Sequence, residues 1–153
     1  MNQPLPAIVT RHDQLLARRL GVAGRLLRTA ADAELAEYGI ASGGVGVLLR
    51  LVEEDGLGQA QLARLQSVEA PTMCRLVDRL VRDDLVERQS DPSDRRATRV
   101  FLTARGRETA AHGAEVIRSL EERAFADLDP AEAAELGLLL ERVIGRLDPG
   151  AEA

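Results

Sequence analysis

Clustered charged side chains in one short segment are the clearest sign of chemistry in this sequence. DPSDRRATRVFLT, residues 91–103, holds three arginines and two aspartates around a proline and then continues as an alternating apolar strand. Arginine guanidinium groups make paired hydrogen bonds to phosphates and to guanine edges. A hairpin whose tip carries such groups is therefore predicted to read DNA.

The sequence contains no recognisable enzyme motif. The sequence contains no P-loop, Gly-rich dinucleotide turn, Cys/His metal spacing or G-x-S-x-G elbow. Its two histidines, His12 and His112, make no recognisable site. We therefore expect no catalytic residue, no metal and no cofactor, and a protein that is not an enzyme.

The composition predicts one mainly helical domain. The chain has 153 residues, of which 45% are hydrophobic and 2% aromatic, without Trp. This length suits a single core, and a core of Leu, Val and Ala favours helices over stacked sheets. The apolar runs are too short to span a membrane, the N-terminus lacks a signal-peptide pattern, and Cys74 is the only cysteine. These features predict a cytoplasmic protein that does not enter a membrane.

Charge is distributed unevenly along the chain. Residues 64–107 carry ten Arg and seven acids, a charge of +3, whereas the remainder carries -8. A locally basic segment on an acidic body suits a protein that touches DNA with one face and repels it with the rest. Random variation along a solvated surface would give the same count, so the positions of the arginines matter more than their number.

Apolar residues recur at three- and four-residue spacing in six segments, which predicts six helices. The first extends from Arg11 to about Tyr38 and is ended by Gly39. Ser42 is expected to cap the second, whose GGVG opening must be frayed or specially packed because glycine disfavours helices. The remaining four are predicted over residues 58–66, from Pro71 to about 82, from a Thr103 cap to about Leu128, and from an Asp129 cap to about Leu147.

The predicted fourth helix is followed by two strand-like segments. LVERQ, residues 85–89, and TRVFL, residues 98–102, lie on either side of the charged loop. A short helix, a turn, a second helix and a hairpin follow one another in the order of a winged helix-turn-helix. In that arrangement the second helix enters a major groove and the wing reaches a neighbouring minor groove.

The chain resembles the MarR family of bacterial transcriptional regulators. The resemblance is carried by LARLQSVEAPTMCRLVDRLVRDDLVERQSDPSDRRATRVFLTARG, residues 62–106, through the motifs RLVDRL, LVER, DPSDRR and V-x-LT-x-x-G. It implies a single domain over residues 1–153, with a winged helix-turn-helix lobe at about 40–103 and dimerisation helices at about 11–38 and 104–147. It also implies a homodimer that binds double-stranded DNA at a palindromic site, usually as a repressor.

The expected DNA contacts lie on the fourth helix and at the wing tip. The resemblance places the family's recognition-helix arginines at Arg75 and Arg79 and its wing-tip arginine at Arg96, next to Arg95. Arg75 could contact guanine or a phosphate, and Thr72 a thymine methyl or a phosphate. Helical projection directs Arg82 away from the core as well.

Two acids near these arginines are expected to support them. Asp78 is spaced to pair with Arg75 and Arg82 on the same helix, which would orient the arginines rather than touch DNA. Asp94 is expected to brace the wing in a similar way. Plain surface ion pairs are the alternative interpretation of both residues.

The resemblance also implies a small phenolic or lipophilic effector. Three glycines, of which Gly44 is the middle one, stand where the family usually has a bulkier residue. Their missing side chains are expected to leave a hollow between the first, second and fifth helices, with His12, Tyr38 and His112 as polar contacts. Each of these three could instead be an ordinary surface or interface residue.

Two alternatives remain open at this point. Cys74 could sense oxidants, although a small packing role is the one we expect, since there is no second cysteine for an intramolecular disulfide. The winged helix could also be a protein-interaction module without specific DNA binding, which the overall acidity would allow.

Overall fold

The computed structural model of the chain describes residues 15–91 and 98–147. Its described part is mainly α-helical with one small antiparallel sheet, as the sequence predicted. Six helices and three strands follow in the order α1 Leu16–Leu35, α2 Ser42–Glu53, β1 Leu57–Gly58, α3 Gln59–Leu65, α4 Ala70–Arg82, β2 Val86–Ser90, β3 Thr98–Leu102, α5 Ala104–Ala124 and α6 Pro130–Leu147.

The sheet has the strand order β1-β3-β2, with every neighbouring pair antiparallel. Val86 lies opposite Leu102 and Ser90 opposite Thr98, which confirms the predicted hairpin. The additional strand β1 pairs Leu57 with Val100 on the other edge of β3. It was not predicted, because two residues are too few to show an alternating pattern.

One hydrophobic core lies between the helices and the inner face of the sheet. Leu35 of α1, Leu48 of α2, Leu62 of α3, Val77 of α4 and Val100 of β3 are each completely buried in it. Since every element of the winged helix-turn-helix contributes to this core, the orientation of α4 relative to the sheet is set by packing.

The connection between α1 and α2 has the predicted Gly39 end but not the predicted Ser42 cap. A 3-10 turn over Ala36–Tyr38 continues α1, and Gly39 then ends it with a left-handed φ of 69°, as expected. Ser42, however, is the first residue of α2 and not its cap. The Ser42 amide donates to Oδ1 of Asp32 at 2.7 Å, so a carboxylate from the preceding helix occupies the capping position.

The glycine-rich start of α2 is specially packed, one of the two outcomes the sequence allowed. A Cβ atom on Gly44 would lie 2.9 Å from Cγ1 of Ile40 and 3.4 Å from Cδ2 of Leu80. On α5, a Cβ on Gly113 would lie 2.7 Å from Cγ1 of Val45. The expectation of a hollow at Gly44 is therefore wrong, because neighbouring side chains already fill the space that the missing Cβ leaves.

The caps of the last two helices are those predicted. Thr103 Oγ1 accepts a hydrogen bond from the Gly106 amide at 2.9 Å at the start of α5. Asp129 Oδ1 accepts from the Glu132 amide at 2.9 Å, and the Glu132 carboxylate accepts from the Asp129 amide at 2.9 Å, which forms a reciprocal capping box.

Helix α6 places none of its residues in the core of the chain. Its exposed apolar residues are Leu138, Leu139, Val143, Ile144 and Leu147.

Across residues 15–91 and 98–147, no single helix has the length and apolar character needed to cross a membrane. Leu16–Tyr38 and Ser42–Glu53 reach that threshold only when taken together, across a bend of 77°.

Candidate nucleic-acid interface

A tight turn between α3 and α4 sets the orientation of the candidate recognition helix. Ser67 takes a left-handed φ of 50°, and the Val68 amide donates to the Ala63 carbonyl at 3.0 Å. Pro71, placed at the start of α4 as expected, needs no hydrogen-bond partner for its nitrogen there. This turn leads the chain from α3, which buries Leu62 and Ala63, into α4, whose outer face is open to solvent.

The burial pattern of α4 confirms the predicted division into two faces. Met73, Val77 and Leu80 are buried, and Leu76 packs partly against the core. The four predicted DNA-contact residues of this helix, Thr72, Arg75, Arg79 and Arg82, are all exposed.

Local contacts hold these exposed side chains near the helix. Arg75 Nη2 donates to Thr72 Oγ1 at 3.3 Å, so the two residues form one polar group near the helix start. Arg79 Nε lies 3.6 Å from Oδ2 of Asp83. Arg82 Nε donates to the Asp78 carbonyl at 3.4 Å. The Arg79–Asp83 ion pair and the two hydrogen bonds are all exposed to solvent and therefore weak. The three guanidinium groups can thus exchange these partners for phosphate or base atoms at little cost.

The predicted partners of the Asp78 carboxylate were wrong. Asp78 Oδ1 accepts from Arg88 Nη2 at 2.6 Å, and no described contact joins the carboxylate to Arg75 or Arg82. Strand β2 runs beside α4 and brings Arg88 to the carboxylate, so a contact between elements replaces the expected contacts within the helix.

The wing loop begins at a buried aspartate that the sequence did not single out. Asp91 is 9% exposed, and its Oδ2 lies 2.6 Å from Nε of Arg99 on β3. Arg99 Nη1 also donates to the Gly56 carbonyl at 3.5 Å. The predicted contacts Arg95 and Arg96, and the predicted brace Asp94, lie outside the described residues.

A second aspartate, Asp55, joins the sheet to α5. Its Oδ1 accepts from the Leu102 amide at 3.0 Å, and its Oδ2 accepts from Arg107 Nη2 at 2.5 Å. Sequence reasoning placed Asp55 only at the end of α2, and no local pattern reveals contacts to residues about fifty positions away.

Two of the residues predicted for an effector site do lie together. The rings of Tyr38 and His112 stack with their centroids 5.3 Å apart and their planes at 15°. The adjacent Glu37 carboxylate raises the pKa of the Tyr38 hydroxyl. The third residue, His12, lies outside the described residues.

An open cleft of about 280 Å³ is lined in part by residues next to Tyr38 in the sequence. It is lined by Asp32, Ala36, Gly39, Ile40, Ala41 and Arg79.

Cys74 is exposed on α4, so the expected packing role is wrong. Its Sγ atom lies 4.0 Å from Oδ2 of Asp78.

Among the described residues, no cluster of three or more His, Cys, Asp or Glu side chains could hold a metal ion.

Comparison with known proteins agrees with this geometry. The HTH-type transcriptional repressor Rv2887 of Mycobacterium tuberculosis is 31% identical over 120 residues, which cover 78% of this chain and 86% of the relative. The sequence profile of the MarR family matches residues 45–98. The chain belongs to the MarR family. It is a transcriptional regulator of that family, as the resemblance predicted.

Solved MarR-type structures share the fold over most of the chain. A "probable transcriptional regulator" from Pseudomonas aeruginosa is 31% identical, with a TM-score of 0.80, over 86% of this chain and 98% of that one. A mutant MarR from E. coli, solved with operator DNA, is 25% identical, with a TM-score of 0.79, over 84% and 93%. The structure of Rv2887 with salicylic acid is 30% identical, with a TM-score of 0.66, over 84% and 96%.

Proposed function

We propose that this MarR-family protein represses transcription by binding a palindromic operator as a homodimer and leaves the DNA when a small effector binds. The observation that carries the proposal is the exposed polar stripe of α4, where Thr72, Arg75, Arg79 and Arg82 lie opposite the buried side of the same helix. A helix of this kind fits the width of a major groove.

The contacts on α4 divide by their position along the helix. Arg75 and Thr72 lie near its start, where helix-turn-helix proteins contact base edges, and they read the sequence. Arg79 and Arg82 lie one and two turns further on and hold phosphates. Arg95 and Arg96 of the wing loop enter the adjacent minor groove, where a narrow groove attracts arginine.

The homodimer is supported by apolar surface that the single chain leaves uncovered. Helix α6 exposes large apolar residues from Leu138 to Leu147, and Leu16, Leu20 and Leu26 of α1 are exposed as well. Such surface on a small protein marks an interface. The chain is thus one domain, residues 1–153, in which the lobe at about 40–103 contacts DNA and the helices at about 11–38 and 104–147 form the dimer. A two-fold dimer requires a palindromic site.

The effector is a small phenolic or lipophilic molecule. The salicylic acid complex of Rv2887 supports this ligand class. The stacked rings of Tyr38 and His112, between the end of α1 and α5, offer an aromatic and polar wall for such a molecule. His12 is the remaining contact proposed for the site. The protein acts in the cytoplasm and catalyses no reaction.

Selection of genomic DNA fragments by the purified protein tests the proposal. We expect wild type to enrich one palindrome and the Arg75→Ala/Arg96→Ala variant to enrich none. The Arg50→Ala variant removes one positive charge from α2, away from the candidate contacts, and should select as wild type does. Equal recovery of unenriched fragments by all three proteins would contradict DNA reading and leave a protein-interaction module as the function.

A further inference from the structure

Arg88 lies on the side of the wing strand that faces the helices. Strand β2 alternates so that Arg88 shares a face with Val86, and it pairs across the sheet with Val100. Val86 and Val100 are buried in the core. Because β2 is an edge strand, the long side chain of Arg88 extends past the edge of the sheet. It reaches the neighbouring helices α3 and α4.

At this edge the guanidinium group contacts two helices. Its Nη2 atom donates to Asp78 Oδ1 of α4 at 2.6 Å. With the Gln59 amide turned so that its oxygen faces the guanidinium, that oxygen accepts from Nη2 at 2.7 Å and Nε at 3.1 Å. Gln59 is the first residue of α3. One side chain therefore joins the wing, the recognition helix and the helix that precedes it.

We propose that Arg88 is a positioning residue for sequence-specific DNA binding, which fixes α4 relative to the wing through Asp78 and Gln59 and does not itself hold a phosphate. The inference rests on the proposed DNA-binding function. Simultaneous contact with a major and a minor groove requires a fixed angle between helix and wing. The planar fork of arginine can serve two acceptors at once, which a lysine ammonium does not do in a fixed geometry.

A positioning role and simple charge repulsion predict opposite effects of Asp78→Asn on DNA affinity. Asp78 is an acid on the DNA-facing helix, with its side chain 51% exposed. Coulomb repulsion alone predicts that Asp78→Asn strengthens DNA binding. A positioning role predicts that the same change weakens specific binding, because Arg88 loses the partner that holds α4 in place.

The experiment measures affinity for a duplex carrying the palindrome selected by wild type and for a scrambled duplex of equal length. We expect Asp78→Asn and Arg88→Gln each to weaken binding to the palindrome about five- to tenfold, within the range for residues that share one ion pair. Binding to the scrambled duplex should not weaken with Asp78→Asn. The double variant should be no weaker than the weaker single variant, because both changes break the same contact.

The matched control is Glu87→Gln, which removes one negative charge from the opposite face of β2. Glu87 is exposed, and its carboxylate accepts from Gln89 Nε2 at 2.7 Å. If Asp78→Asn strengthens binding to both duplexes as Glu87→Gln does, charge alone explains Asp78 and the positioning role is overturned.

Salt dependence separates positioning from direct phosphate contact. A lost phosphate contact lowers the slope of log affinity against log salt by about 0.9. We expect Arg88→Gln to retain the wild-type slope, and a slope reduced by that amount would overturn the inference. Arg88→Lys should recover part of the affinity, since the charge opposite Asp78 is kept.

Cooperative thermal unfolding is checked for each variant. If Arg88→Gln does not fold, Asp78→Asn and Arg88→Lys carry the test. Wild type that binds both duplexes equally would overturn the proposed function and the positioning role together. Wild type that prefers the palindrome, with unchanged affinity in every variant, would overturn the positioning role alone.

Discussion

Removing the Asp32 carboxylate tests how α1 stabilises the start of α2. The Ser42 amide donates to Asp32 Oδ1 at 2.7 Å, and hydrogen bonds from the Ser42 side chain and backbone hold the pKa of Asp32 below its usual value. A capping side chain of this kind contributes about 0.5–2 kcal/mol. We therefore expect Asp32→Ala to lower the free energy of unfolding by about 1 kcal/mol and the melting temperature by about 2–4 °C.

The pH dependence of this loss has a defined sign. Because the folded pKa of Asp32 lies below the ordinary value of 3.8, the ionised carboxylate stabilises the folded state. That contribution is fully present above the unfolded pKa and is lost as the pH falls through the lower folded pKa. The stability difference between wild type and Asp32→Ala should therefore be largest near pH 7 and shrink below about pH 4.

Urea unfolding at a fixed protein concentration, at neutral and acidic pH, measures both effects. Asp32→Asn keeps an oxygen acceptor without the charge, so its loss should be smaller than that of Asp32→Ala. The control Asp127→Ala removes an exposed acid from the connection before α6. Equal losses for Asp32→Ala and Asp127→Ala at pH 7, or a wild-type advantage unchanged down to pH 2, would refute the capping argument.

Three further predictions follow from contacts elsewhere in the chain. A charge at the centre of the exposed α6 face, Val143→Asp, should dissociate the proposed dimer, and sedimentation that still shows a dimer would contradict this. Gly113→Ala should destabilise the fold, because overpacking against Val45 costs about 1–3 kcal/mol and the gain in helix propensity is about 1 kcal/mol; a rise in melting temperature would contradict it. Asp55→Ala should cost about 1.5–3 kcal/mol, since the Leu102 amide loses a charged acceptor. Arg107→Ala should cost under about 1 kcal/mol, and the reverse order in urea unfolding would count against this assignment.

Features that depend on neighbouring residues could be predicted from the sequence. The caps at Thr103 and Asp129 and the buried stripe of α4 all follow from spacing within one helix, and the structure confirms them. The family motifs extend over the same stretch, so the candidate recognition helix was predicted together with its buried and exposed faces. Features that depend only on residues within one helix or strand could therefore be predicted from the sequence.

Contacts between distant residues could not be predicted in the same way. Ser42 has the residue type of a cap, but the Asp32 carboxylate takes that position, ten residues earlier. Asp78 has arginines at helical spacing on both sides, yet its carboxylate pairs with Arg88 of the adjacent strand. In each case the sequence predicted a contact within one helix, and the folded chain instead forms a contact with a residue of another element. The hollow expected at Gly44 was wrong for the same reason, since Ile40 and Leu80 approach the glycine from outside α2.

The contacts between elements connect the proposed effector site to the candidate DNA-binding surface through α5. His112 stacks on Tyr38, and Arg107, five residues earlier on the same helix, binds Asp55. Asp55 in turn accepts from the Leu102 amide at the end of β3, the strand that pairs with the wing strand bearing Arg88. An effector can shift the protein only as far as it binds two arrangements with different affinity. A ligand that separates Tyr38 from His112 would act on the helix that carries Arg107, so the proposed release from DNA would need no contact between the ligand and α4.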